Sequence, residues 1–186
     1  MFQAGKRSAS DMNIFNPNGF KRLIGQELPR TILTPDEAIM KYKSSEGFKV
    51  NDMLRRDRLD EDGRAIVDGV DKKLQELPAY SEPTFRAFHF YDDDLFEKFR
   101  KEYGTAGNTV QDKAFMSTTK DYTKFFSPQP GYHAALYHVN GKSGRDISEY
   151  GLREEEEVLF PRNTKFVIDR ADMGRDGNLY GEMTEL

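Results

Sequence analysis

The chain has 186 residues, with 28 Lys and Arg against 32 Asp and Glu and a formal net charge of −4. That balance excludes capture of nucleic acid or an anionic membrane by net charge. The absence of cysteine excludes disulfides, thiolate chemistry and cysteine-based zinc sites.

The 14 Phe and 9 Tyr can supply the core of one domain with an extra N-terminal lobe. No apolar run approaches the roughly 20 residues of a membrane span. His89, His133 and His138 lack metal-ligand spacing, so no metal is expected, although His133 and His138 can meet in space.

Residues 1–34 are rich in Asn, Gly, Pro and Ser and read as a flexible arm with a short helix around 20–28. The stretch 1–19 has no signal-peptide apolar core and suits a domain cut from a longer polypeptide. Thr34-Pro35-Asp36-Glu37 is a capping box: Thr34 at the N-cap, Pro35 at N1, Glu37 at N3. Ser44-Ser45-Glu46-Gly47 should break the helix that follows. A second helix is expected over 48–58. A third is expected over 64–77, with Ile66, Val67, Val70 and Leu74 as its apolar stripe.

The pattern then changes. Residues 84–90 alternate with aromatics as a strand does, 93–103 is helical, and 109–118 is mostly extended. Strands follow at 132–139, 145–148, 157–160 and 165–169, with Asn140-Gly141 as a turn. Helices first and strands later indicate an α+β fold.

Three features could carry chemistry. Arg86 lies in an aromatic strand, as a structural ion pair or as an anion clamp whose fork fits phosphate. Ser117-Thr118-Thr119 reads as a strand end or helix cap, or as a hydroxyl that orients a carboxylate. Glu154-Glu155-Glu156-Glu157 runs straight into Val158-Leu159-Phe160. Such a run is ordinarily a solvated face. On a strand, residues two apart share a face about 7 Å apart, so Glu155 pairs with Glu157 and Glu154 with Glu156. Repulsion within a pair favours acid–base work but does not choose between the pairs.

In the order Arg, Ser-Thr-Thr, Glu-x-Glu, these residues resemble the Arg–Ser–Glu class of mono-ADP-ribosyltransferases, known from bacterial toxins and effectors. Tyr42-Lys43-Ser44-Ser45-Glu46-Gly47-Phe48-Lys49-Val50-Asn51-Asp52-Met53-Leu54-Arg55 is similar to that family's NAD-binding helix segment. Leu77-Pro78 followed by Phe85-Arg86 resembles its first catalytic strand, and Phe115-Met116-Ser117-Thr118-Thr119 its Ser-Thr-Ser strand. Residues 143–150 resemble the lead into its recognition loop, and 155–161 and 164–168 its Glu-x-Glu strand and the next one. The resemblance spans about residues 36–170.

The resemblance implies a helical lobe followed by a mixed, mainly antiparallel two-sheet β core, with a catalytic domain over 35–186. It implies mono-ADP-ribosylation: NAD is cleaved and ADP-ribose passes to a target protein. In the family register Glu157 is the catalytic carboxylate on the ribose and Glu155 receives the acceptor. A Glu at that position goes with arginine acceptors. Arg86, helped by Arg55, would grip phosphate; Ser117 would orient Glu157; Asn51 would bind NAD; Phe126 or Phe125 would stack on nicotinamide. Ala87 stands where the family usually has Gly, and because the family's contact to nicotinamide there is made by backbone, the resemblance implies that Ala87 would bind NAD in the same way. Thr119 keeps the hydroxyl of the third Ser-Thr-Ser position. The loop 120–131 lacks the arginine that some relatives carry there.

The expected partner is a target protein such as actin, a small GTPase or a bacterial protein, met by a monomeric toxin or secreted effector in the target cell's cytosol. NAD glycohydrolysis, or a non-catalytic binding module on the same fold, are the competing readings.

Overall fold

The computed structural model describes residues 32–151 and 155–186. These belong to a unit running from Ile32 to Leu186. The expected arm, apart from Ile32, Leu33 and Thr34, lies outside the described residues, as does Glu154.

The helical lobe forms as its capping signals require. Helix α1, Pro35–Lys41, starts at the full capping box: the Thr34 hydroxyl accepts from Glu37 N–H, and the Glu37 carboxylate accepts from Thr34 N–H at 2.9 Å. The predicted break at residues 44–47 is instead a π-helical turn, Tyr42–Glu46, with Ser44 at non-helical ψ −171. It joins α1 directly to α2, Gly47–Arg55. Helix α2 is shorter than predicted because Asp57 turns left-handed (φ 54). Arg58 N–H then bonds Met53 O and Asp57 N–H bonds Leu54 O, a Schellman ending. Helix α3, Glu61–Glu76, begins earlier than predicted, since the Asp60 carboxylate caps Gly63 N–H at 2.7 Å. Its acidic first turn suits the positive end of the helix dipole.

The rest of the chain is β1 (Thr84–Phe90), α4 (Asp93–Tyr103), β2 (Thr109–Gln111), β3 (Met116–Thr119), β4 (His133–Asn140), β5 (Arg145–Asp146), β6 (Glu157–Phe160), β7 (Lys165–Met173) and β8 (Leu179–Glu185). The eight strands are ordered β2-β7-β8-β4-β1-β3-β6-β5. All pairings are antiparallel except β4 with β8. β1 and β3 are joined at a single register pair, Phe85 with Thr119. That single pair is the hinge between five strands and three strands of one continuous sheet, where two sheets were expected.

β8 was not foreseen, and β7 runs past its expected end to pair with it. Leu179 and Met183 are buried on one face of β8, and Gly181 between them leaves room for the Tyr137 ring. A Cβ at Gly181 would lie 2.3 Å from that ring. His133 and His138 do not meet: five residues apart on β4, they point to opposite faces. His133 stacks on Phe96 and His138 packs on Phe85.

Two cores result. The first joins Ile39, Tyr42, Val50, Leu54, Val67 and Val70 of the helical lobe to Phe115, Ile147 and Leu159. The second packs α4 through Phe96 against Tyr137, Val158, Phe160, Phe166, Ile168 and Met183. β6 feeds both: Leu159 faces the helices while Val158 and Phe160 face away, the period of two expected of a fully buried strand.

Candidate active site

A cleft of about 480 Å³ lies between the helical lobe and the hinge of the sheet. Its helical wall is the π-turn and α2, through Tyr42, Lys43, Ser44, Phe48, Asn51 and Arg55. Its opposite wall is β1 and β3, through Phe85, Arg86, Ala87, Ser117 and Thr119, and Glu155 and Glu157 close one end. Of the predicted site residues, Phe126 alone does not line it. Phe125 does, and is 40% exposed, while Phe126 packs back toward Tyr180 and His89. The short 3₁₀ turn Tyr122–Lys124 sets this choice, because Phe125 and Phe126 N–H both bond Tyr122 O.

Arg86 stands in the split between β1 and β3. Beyond Phe85 and Thr119 the strands part, and Arg86 Nη1 donates to Ser117 O at 2.7 Å across the gap. Its guanidinium lies 5.1 Å from the Phe88 ring. Arg86 Nε is sealed from solvent and has no partner. Burial pulls the guanidinium pKa below its ordinary value, yet arginine stays charged. A desolvated cation with an unused donor is poised for an anion.

Across the cleft, Asn51 Nδ2 donates to the Tyr42 hydroxyl at 2.9 Å, and Asn51 Oδ1 is buried without a partner. Burial pushes the Tyr42 phenol up to about 12, against hydrogen bonds with Asn51 and Ser117 that lower it. The Ser117 hydroxyl therefore meets Tyr42, and the Glu157 carboxylate is held by another group. Arg55 is bound to Asp112, with Nη2 to Oδ2 at 2.7 Å and Nε to Oδ1 at 3.0 Å, so it reaches the cleft as half of an ion pair.

The glutamates are not arranged as a plain strand would place them. Only Glu157 belongs to β6, opposite Thr119. Glu156 turns left-handed (φ 44), an uncommon conformation for a residue with a Cβ, costing about 1–2 kcal/mol. Its carbonyl accepts from Lys120 N–H and its carboxylate meets Lys124 at 3.4 Å. This turn lets Glu155 and Glu157 converge on one cation. Lys43 Nζ donates to Glu155 Oε2 at 2.5 Å and to Glu157 Oε2 at 2.6 Å.

The Lys43 side chain is 1% exposed, against 34% for Glu155 and 12% for Glu157. Burial alone would lower the Lys43 pKa; the hydrogen bonds and charges of the two carboxylates more than offset it and raise it. The two oxygens lie within about 5 Å of each other, where like charges repel by about 3 kcal/mol at an effective dielectric of about 20. The ammonium between them offsets that repulsion. Lys43 was not singled out from the sequence. Its only signal was a lysine inside the Tyr42-to-Arg55 segment.

A model of the ADP-ribosyltransferase exoenzyme family matches residues 28–186. The NAD(+)–protein-arginine ADP-ribosyltransferase Tre1 of Serratia proteamaculans (strain 568) is 34% identical over 162 residues, covering 82% of this chain and 33% of that protein. Tre1 of Pseudomonas putida (strain GB-1) is 31% identical over 149 residues, covering 77% and 28%. The chain thus spans a third or less of the length of the curated relatives it matches. Among solved structures, the Vis toxin of Vibrio splendidus, an ADP-ribosyltransferase, aligns at TM-score 0.64 and 21% identity over 99% of this chain and 88% of its own. Exoenzyme S of Pseudomonas aeruginosa aligns at 0.67 and 18%, over 81% and 72%. At these identities the two structures speak for the fold.

Proposed function

The chain belongs to the ADP-ribosyltransferase exoenzyme family, and we propose that it cleaves NAD and transfers ADP-ribose to an arginine side chain of a target protein. One observation carries the reading: Arg86, Ser117, Glu155 and Glu157, far apart in the sequence, line a single cleft. Its volume of about 480 Å³ falls among small-molecule sites, which run from about 300 to 1,000 Å³. Arg86 Nε and Asn51 Oδ1 are a donor and an acceptor left unmatched. A pyrophosphate would satisfy the first and an amide or hydroxyl the second.

The roles follow from charge. Breaking the bond between ribose C1′ and the nicotinamide nitrogen sends the bonding pair to that nitrogen and leaves positive charge on the ribose. Glu157 lies deeper than Glu155 and would stabilise that charge through the ribose hydroxyl. Glu155, the more exposed, would hold the acceptor guanidinium and take its proton as the guanidinium nitrogen bonds to C1′. Arg86 would fix the phosphates and Phe125 would pack against nicotinamide. Ala87 presents its backbone in the middle of β1, opposite Leu136. Action as a toxin or effector inside a target cell belongs to the same proposal, as does the choice of a protein acceptor.

Glu157→Gln should lower both NAD hydrolysis and transfer by about 10²–10³-fold while circular dichroism stays unchanged. Glu155→Gln should remove labelling of an arginine acceptor and keep most hydrolysis. Full transfer activity in the folded Glu157 variant would end the assignment.

A further inference from the structure

The cleft contains a cation for which the proposed chemistry has no role. Lys43 enters from the π-turn, and its ammonium bridges Glu155 and Glu157. Gly151 roofs its stem. A Cβ built there would lie 3.0 Å from Lys43 Cβ and 3.1 Å from Cε, and Gly151 is left-handed (φ +70). The lysine is thus enclosed between the helical lobe and the loop that leads to the glutamates.

We propose that Lys43 is a positioning residue that keeps Glu155 and Glu157 ionised together and aimed at one point. The proposal rests on the reading of these two glutamates as the catalytic pair. Both contacts use Oε2, which leaves Oε1 of each carboxylate for the ribose hydroxyl and the acceptor. Without the ammonium, two carboxylates this close resist joint ionisation, and one binds a proton at higher pH. The sequence places one lysine, rather than two carboxylates alone, at the centre of the Glu-x-Glu pair.

Other charged groups surround the pair. Tyr42 and Arg86 act on Glu157 from the π-turn and β1. From α2, Arg55 is bound to Asp112. Following β3, Lys120 is bound to Asp146 of β5, and Lys124 meets Glu156. His89 lines the cleft from β1. Among the described residues, Lys43 is the cation that bridges the two carboxylates.

The test is the pH profile of NAD hydrolysis, and of agmatine modification, for wild type, Lys43→Met and Lys43→Arg. The acidic limb should move up by about 1–2 pH units in Lys43→Met. Relative to wild type its rate should fall about 10- to 100-fold on the acidic side of both limbs and recover as pH rises above the shifted one. Lys43→Arg should restore the limb. Should Lys43→Met fail to fold, Lys43→Gln replaces it.

Carboxyl ¹³C NMR of labelled glutamate, without NAD, should show one of the two carboxylates titrating at higher pH in the variant. An unmoved limb with a uniform loss at every pH would make Lys43 merely structural. A gain in turnover would make it a plug in the acceptor site. Either result overturns the proposal. Inactive wild type with the NMR shift present would instead overturn the proposed function and leave the effect of Lys43 standing.

Discussion

Gly47→Ala tests how the sequence aims the helical wall at the cleft. Gly47 has ordinary helical angles, φ −57 and ψ −40, so its conformation does not require glycine. The space does. A Cβ there would lie 2.2 Å from the Tyr42 carbonyl oxygen, a backbone atom that cannot rotate aside. In an unstrained helix the substitution would stabilise by about 0.4–1 kcal/mol, since alanine has less unfolded freedom to lose. Here overpacking opposes it with about 1–3 kcal/mol. The obstacle is backbone, which places the cost toward the upper end and the net destabilisation at about 1–2 kcal/mol. With a urea slope of about 2–3 kcal/mol/M, the midpoint should fall by about 0.5 M. Moving the Tyr42 carbonyl also displaces Lys43, the next residue, so NAD turnover should fall in the folded variant. A urea midpoint equal to or above wild type would refute the steric account of the π-turn.

Other outcomes follow from single contacts. Thr34→Ala removes the capping hydroxyl of α1 and should cost about 1 kcal/mol by urea denaturation, with NAD affinity unchanged. Arg86→Lys keeps the charge but loses the planar fork and the reach to Ser117 O, so KM for NAD should rise at least about 10-fold. The Tyr42 phenol titrates at about 12 in the fold against an ordinary 10.0. The unfolded chain loses that proton first, so the contribution is intact below about pH 10 and declines as pH rises toward 12, by about 3 kcal/mol. Tyr42→Phe should lack that part of the alkaline decline in a urea series run from pH 9 to 12.

Local signals with a mechanism were legible: the capping box at Thr34, the aromatic alternation of β1 and the helix over 93–103 all formed where expected. The cleft residues Arg86, Ser117 and Glu157 were found because three weak signals occur in a fixed order. What stayed hidden depends on backbone detours. A π-turn adds a residue to the helical circuit, so ordinary helical spacing does not predict where Lys43 points. The strand geometry assumed for Glu154–Glu157 fails at Glu156, whose left-handed turn has no sequence mark such as Gly or Asn. β8 carried an alternation of its own, Leu179 and Met183 inward, but Gly181 at the intervening position interrupts the apolar run.

The glutamate run is tolerated because the fold gives its described members different surroundings. Glu156 is turned out toward Lys124, where water screens it. Glu157 begins a buried strand and would be a costly charge there without a partner. Glu155 adds a second negative charge near the same place. One buried lysine between them answers both costs, and removing it leaves two adjacent carboxylates at the lip of a packed sheet. The π-turn that carries Lys43 is therefore as much a part of the site as the strand that carries Glu157. A transplant of the Glu-x-Glu segment into a sheet without such a turn should give carboxylates that share a proton rather than two that work separately.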